Sequence, residues 1–316
     1  MDNLTHSLAG AALGEAGMKR WSGLGMAALV IGANLPDLDV AAIPFGANLT
    51  FRRGWTHGPL AMLLLPVLLA AALVAWDRWQ ARRGRRPPDR APVRPGWLLL
   101  CCFAGVLSHP ALDWLNSYGV RLLMPFSERW FYGDSIFIID PWIWIALGAG
   151  VWLSRRRKRR GEGAAPRPAR VSLALTAAYV LLMIAGSRSA HAHGERHAAA
   201  AEGRAPLRTM AGPVPLDPTR RELIFDMGGH YRTGTLAWRP GPRVALDSAP
   251  VPTRFGEPAV EAAMRHPEVR GFLVWSRFPY FTVEDGAGER AVRVGDARFR
   301  GRGGGWAEVR VRVPEE

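Results

Sequence analysis

Cysteine is almost absent: the 316-residue chain holds two, Cys101 and Cys102, side by side in an apolar run. Adjacent cysteines are poor disulfide partners, and no cysteine-rich zinc pattern is available. A basic segment ahead of the first apolar stretch is also missing. The chain opens Met1-Asp2-Asn3, so no cleaved signal peptide is expected. Charge is missing altogether from Leu60 to Trp76. With its flanks that run is long enough to span a bilayer.

The charge that is present is basic and clustered. Net charge is +14, with six arginines between Arg82 and Arg94 and six consecutive basic residues from Arg155 to Arg160. Such runs attract nucleic acid. Each, however, lies beside a long apolar segment, where juxtamembrane positive charge is the more economical reading. Nucleic acid is therefore the minor alternative, and membrane lipid the expected partner.

The apolar segments come in order. Leu4 to Gly17 reads as a short helix with Asp2, Asn3 or Thr5 as its cap. Trp21 to Leu35 is rich in Gly and Ala, as close helix packing in a membrane requires. Leu60–Trp76, Trp97–Leu112, Pro141–Leu153 and Val171–Ser187 follow. Asp140 before Pro141 fits a helix cap with proline at the first helical position. The Trp-rich stretch 130–144 fits an interfacial aromatic belt. From about 221 the pattern turns to short strand-like runs between Gly, Pro and Asp turns. Examples are Arg221–Phe225, Gly271–Trp275 and Ala307–Val313, with a helix near 257–265. The expected fold is an α-helical polytopic membrane domain over 1–187, with basic linkers at 82–95 and 155–170. A linker over 188–220 leads to a small, mainly β soluble domain over 221–316.

Ser108-His109-Pro110-Ala111-Leu112-Asp113 carries the chemistry. Four-residue spacing puts the His109 imidazole and the Asp113 carboxylate on one helix face. Buried in an apolar segment, that pair costs free energy unless something binds it. A metal ion is one answer; a hydrogen-bonded His–Asp pair at a helix end is the other. Topology adds further groups. With the two basic loops on the cytoplasmic side, His6, Asp37, Asp39, His57, His109 and Asp113 all fall at the opposite, outer face. Three imidazoles with carboxylates suit Zn²⁺, with Mn²⁺ or Fe²⁺ also compatible, and six candidates suit two ions with one bridging aspartate. Asp39 or Asp37 is the candidate catalytic base if it is not a ligand. Arg52 and Arg53 are candidates for binding an anionic substrate group, or for facing lipid headgroups. Thr5, Thr56 and Ser108, each preceding a histidine, are possible partners of the ligands or plain helix caps. Pro36-Asp37-Leu38-Asp39 also fits a turn and cap. His191, His193 and His197 read as an adventitious metal-binding cluster in a linker.

Four motifs in order carry a resemblance: Asp2–Gly10, Asn34–Asp39, Arg53–Gly58 and His109–Asp113. They resemble the YdjM-type inner-membrane proteins, described as metal-dependent hydrolases. Gly133–Trp142 looks like a further shared segment. The resemblance implies a bacterial inner-membrane, multi-pass protein, and the charge pattern puts its C-terminal domain outside the cytoplasm. The ligand order His, Asp, His, His-x-x-x-Asp is more distantly similar to the zinc-dependent phospholipase C and nuclease P1 group. That likeness implies metal ligands at His6, Asp37 or Asp39, His57, His109 and Asp113. Later histidines of that group have no counterpart between His109 and His191. The favoured activity is attack of metal-activated water on a phosphoester, such as a lipid headgroup; a metal-dependent amidase or esterase, and a non-catalytic, metal-stabilised scaffold or binding protein, are the alternatives.

Overall fold

The computed structural model describes residues 1–45, 51–285, 289–300 and 307–314. The chain divides into a helical unit, built from Met1–Ala41 and Arg52–Ala185, and a second unit centred on Gly186–Glu316. The helical N-terminal region and the antiparallel sheets that follow it agree with the expected fold class.

The helical unit contains α1 (Asn3–Glu15), α2 (Gly25–Gly32), α3 (Pro59–Arg82), α4 (Pro95–Trp114), α5 (Pro141–Arg159) and most of α6 (Arg167–Glu202). Asp2 caps α1, accepting from the Leu4 and Thr5 amides. Asp140 caps α5, accepting from Trp142 and Ile143, with Pro141 at the first position. Three helices, α3, α4 and α6, are long and apolar enough to cross a membrane. Their outward faces carry exposed leucines such as Leu63, Leu64, Leu181 and Leu182, while aspartates and histidines are buried inside. That inversion suits a lipid environment and not water.

The run from Trp21 to Leu35 departs from the sequence reading. Only Gly25–Gly32 is α-helical, and eight residues rise roughly 12 Å, too short to cross a bilayer. Its apolar character has another cause: α2 is enclosed, with Ala28, Leu29, Gly32 and Ala33 buried. The Leu29 carbonyl is the contact point for two neighbours. A Cβ on Gly10 of α1 would lie 2.6 Å from that oxygen, and one on Gly105 of α4 2.7 Å. Glycine at both positions lets α1 and α4 close on α2 from two sides.

The arginine-rich connection between α3 and α4 is pinned and not a free linker. Arg90 donates to Asp77 and Gln80, the Gly23 amide to the Pro92 carbonyl, and the Arg94 amide to Ser22. The expected linker at 155–170 also shrinks, because α5 continues to Arg159 and α6 begins at Arg167. Long basic side chains are good helix formers, and at a C-terminus they complement the helix dipole.

The expected linker at 188–220 is not one either. Helix α6 runs on to Glu202, and strands begin at Arg208. Its polar composition reflects one exposed face; the other buries Ala190 and Ala198 against Leu223, Phe225 and Leu236. In this second unit β1 (Arg208–Val214), β2 (Asp217–Asp226), β3 (His230–Ala237) and β4 (Arg243–Leu246) form an antiparallel sheet in sequence order, with β5 (Val251–Pro252) also on β3. Helices α7 (Pro258–Met264) and α8 (Pro267–Trp275) precede a second sheet of β6 (Pro279–Asp285), β7 (Glu289–Asp296) and β8 (Glu308–Pro314). Gly271–Trp275, read from sequence as a strand, is the end of α8. Pro267 opens that helix, and its core face buries Val269, Phe272 and Trp275. Asp296 is the polar hub. Buried, it accepts from Ser276, the Arg277 amide and the Arg298 guanidinium. Burial pushes its carboxyl up, but Arg298 and these donors outweigh that and hold it below the usual carboxylate value of 3.8.

Gly105→Leu lowers the thermal stability of detergent-purified protein by ~1–3 kcal/mol or more, since the Leu29 carbonyl cannot retreat. Gly148→Ala, with nothing near the added methyl, is neutral by the same measurement. Asp296→Asn lowers the stability of the second unit by ~3–5 kcal/mol, because it leaves Arg298 buried without its counter-charge. The depressed carboxyl stabilises the fold above its unfolded pKa, and this contribution is lost as pH falls through the folded value. Acid titration of the wild type therefore shows a loss of stability below about 3.8 that the variant lacks.

Candidate metal centre

Helix α4 contributes two groups of the centre, His109 and Asp113, both fully buried. One turn before His109 lies Gly105, and one turn before Gly10 on α1 lies His6. The double contact on Leu29 therefore brings the two rings together. Their centroids are 3.8 Å apart and nearly parallel. Two imidazolium ions at that separation would repel strongly, so at most one ring is charged. His109 Nδ1 lies 2.7 Å from the Ala33 carbonyl oxygen. An N–H there leaves Nε2 as a lone-pair atom facing inward. Asp37 and Asp39 come from the 3₁₀ stretch Leu35–Phe45, and His57 from the loop before α3.

The separations are informative. His57 Nε2 and His109 Nε2 stand 3.3 and 3.4 Å from Asp113 Oδ2, His6 Nε2 is 3.4 Å from Asp113 Oδ1, and His109 Nε2 is 3.6 Å from Asp37 Oδ1. None of these is a hydrogen bond. His6 Nε2, His57 Nε2, His109 Nε2, Asp37 Oδ1, Asp39 Oδ1 and Asp113 Oδ2 are all buried without a hydrogen-bond partner. Left so, each would carry a large desolvation cost. Two ligands sharing one tetrahedral ion with bonds of roughly 2.1 Å lie roughly 3.4 Å apart. The donor set thus fits a divalent cation in both chemistry and spacing. Two overlapping groups result, His6–His109–Asp113 and Asp37–His57–His109. Burial pushes the Asp37 carboxyl up, yet the His109 imidazole outweighs that and holds it at about 2. Burial pushes His57 below the usual imidazole value, against the pull of Asp113. An ionised carboxylate and a neutral imidazole are the forms that bind a metal.

The two arginines take different positions. Arg53 is buried; its Nη2 sits 3.2 Å from Asp113 Oδ1, Nη1 donates to Asn116, and the guanidinium stacks on Tyr118. The Met1 amino group also hydrogen-bonds Asp113 Oδ1. Arg52 is more exposed, 4.0 Å from Asp37 and 3.9 Å from Asp39. Asp39 Oδ2 accepts from the Arg53 amide at 2.6 Å, which ties the aspartate to the histidine loop.

Of the three hydroxyls that precede a histidine, Thr56 alone contacts its neighbour, with Oγ1 3.0 Å from His57 Nδ1. Ser108 donates to the Gly105 carbonyl, and Thr5 to Asp2. Asp140 caps α5 and accepts from Tyr179, and neither it nor Asp134 belongs to either ligand group. His191, His193 and His197 lie on α6 and form no chelating group among the described residues; His193 Nδ1 contacts the Ser189 carbonyl.

Several positioning residues escaped the sequence reading. Trp144 donates to Thr5 and Asp2 and so orients the start of α1. Asn34 donates to Ser7, one residue from His6. Arg121 donates to the Arg52 carbonyl, stacks on Trp130 and packs on Gly54, where any Cβ would meet the guanidinium at 2.8 Å. The proximity of Trp144 and Arg121 to the motifs exists only in three dimensions.

Helices long and apolar enough to cross a membrane, together with a buried cluster of histidines and aspartates, define a helical membrane protein with a candidate metal centre. The family model of the YdjM inner membrane protein matches residues 1–192, and the chain belongs to that family. No curated protein and no solved structure is significantly similar to it.

The hydroxyl contacts separate two variants. Should the centre hold a divalent ion, Thr56→Val lowers its affinity roughly 10–100-fold in a chelator-competition titration, because His57 loses the partner that orients it. Ser108→Ala, whose hydroxyl serves the helix backbone, leaves the affinity unchanged.

Proposed function

We propose that this protein is a membrane-bound, metal-dependent hydrolase of phosphoesters. The ion is zinc, with manganese also compatible, held as one or two equivalents by His6, Asp37, Asp39, His57, His109 and Asp113. The observation that carries this reading is the set of buried donor atoms 3.3–3.6 Å apart that make no hydrogen bonds to one another. When bound, a divalent cation supplies Lewis acidity toward a phosphoryl oxygen and acidifies water.

The chain's own residues complete the chemistry. Asp113, with one oxygen toward His6 and the other toward His57 and His109, would be a ligand within reach of either ion. Asp39 has Oδ2 held by the Arg53 amide, and its Oδ1 is the candidate proton acceptor; Asp37 is the alternative base. Arg53 offsets the charge of Asp113 instead of meeting substrate. Arg52, at the rim, holds the anionic group, which favours a phosphoester over an amide or a neutral ester. The positive-inside rule supports a centre near the outer face of the inner membrane in a multi-pass topology, with the C-terminal unit outside the cytoplasm. A lipid-linked phosphoester is then the accessible substrate.

Complete burial of His6, His109 and Asp113 favours a second reading, a metal-stabilised scaffold without turnover. Elemental analysis of purified wild type beside His109→Ala/Asp113→Ala, followed by assays on a phosphodiester, an ester and an amide, separates the readings. The expected result is about one to two metal equivalents, lost in the double variant, with chelator-sensitive hydrolysis of the phosphodiester alone. Arg52→Ala then raises KM and keeps the metal. Metal without turnover of any substrate establishes the scaffold, and no metal uptake by folded wild type overturns both readings.

A further inference from the structure

The six basic residues 155–160 do not act alike. Arg155 Nε lies 3.2 Å from Glu15, and Arg157 Nε 3.5 Å from Glu162, so these two are committed within the protein. Arg156, Arg159 and Arg160 have no carboxylate partner among the described residues. Spacings of three and four place Trp152, Arg156, Arg159 and Arg160 on one face at the end of α5. Together they line a hollow of about 340 Å³. The Arg156 guanidinium sits 5.2 Å from the Trp152 ring centroid, a cation–π contact between two residues of the lining. The preceding turns carry exposed Trp142, Ile145, Trp152 and Leu153, a surface for acyl chains. Three uncompensated guanidiniums at the boundary between that surface and the polar end of a helix match a phosphate diester whose tails lie along α5.

We infer that Trp152, Arg156, Arg159 and Arg160 form a docking site for the phosphate headgroup of an anionic phospholipid. The guanidiniums bind the phosphate oxygens, and Trp152 marks the depth of the headgroup layer. This site lies outside both ligand groups of the metal centre and does not depend on them.

Native mass spectrometry of the full chain in detergent tests it, with phosphatidylglycerol, cardiolipin and phosphatidylcholine added separately. Wild type retains the two anionic lipids in preference to phosphatidylcholine. Arg156→Gln/Arg159→Gln/Arg160→Gln loses that preference by roughly tenfold or more. Arg157→Gln, whose residue is already paired, keeps it. Should the triple variant fail to accumulate, Arg156→Lys/Arg159→Lys/Arg160→Lys retains the charge and with it the topology. It is expected to keep an anionic preference weakened several-fold, since lysine lacks the planar fork. Equal retention of all three lipids by wild type overturns the inference. So does an unchanged preference in the glutamine variant, or capture of duplex DNA or inorganic phosphate where anionic lipid is not retained.

Discussion

The structure depends on the company of one carboxylate. Asp113 is fully buried, and its second oxygen faces two imidazole nitrogens at 3.3 and 3.4 Å without a hydrogen bond. Lone pairs crowded in an apolar interior are unfavourable unless a positive species shares them. Arg53 and the Met1 amino group meet the first oxygen and leave the second to the histidines. Much of the helical unit serves this arrangement. Glycines on α1 and α4 meet one carbonyl of α2, Trp144 fixes the first turn of α1, and Arg121 holds the loop that carries Arg52 and Arg53. Exchanging any of these for a residue of different shape is expected to shift a donor atom relative to its neighbours.

Charge is distributed with similar economy at the other end of the helices. Glu15 is buried and takes Lys19 and Arg155, which joins α1 to α5. Asp77 takes Arg86 and Arg90, which folds the α3–α4 connection back on α3. A segment that reads as a flexible basic linker is therefore partly a structural strap, and only some of its positive charge faces outward. Counting basic residues in a loop measures its sidedness in a membrane; it does not measure how many of them are free to meet a ligand.

Much was legible in the sequence. Asp140 was recognisable as a cap and Asp2 as one of three candidates for another, the long apolar runs as helices, and β2 and β8 as strands. A gathering of His6, Asp37, Asp39, His57, His109 and Asp113 was expected from charge and topology, but the structure brings them near one another by another route, since α2 is too short for the crossing that argument used. The aspartate motif still meets His109, because α2 ends beside it, with the Ala33 carbonyl 2.7 Å from His109 Nδ1. Residues 188–202 and Gly271–Trp275 were misread for one shared reason. Periodicity over a short window cannot separate a helix with one small-residue face from a polar linker, or the last turns of a helix from a strand.

Residue types and their order by themselves determined the membrane helices, the basic ends and the identity of the candidate ligands. These follow from transfer free energies and from local spacing, which need no partner. Only the tertiary structure decided that Arg53 faces Asp113 while Arg52 stays at the rim, that Thr56 and not Ser108 contacts its histidine, and that Arg155 and Arg157 are paired while Arg156, Arg159 and Arg160 are not. Such choices are made between neighbours of the same chemical type. What distinguishes them is a direction in space, set by the packing of helices far apart in the chain.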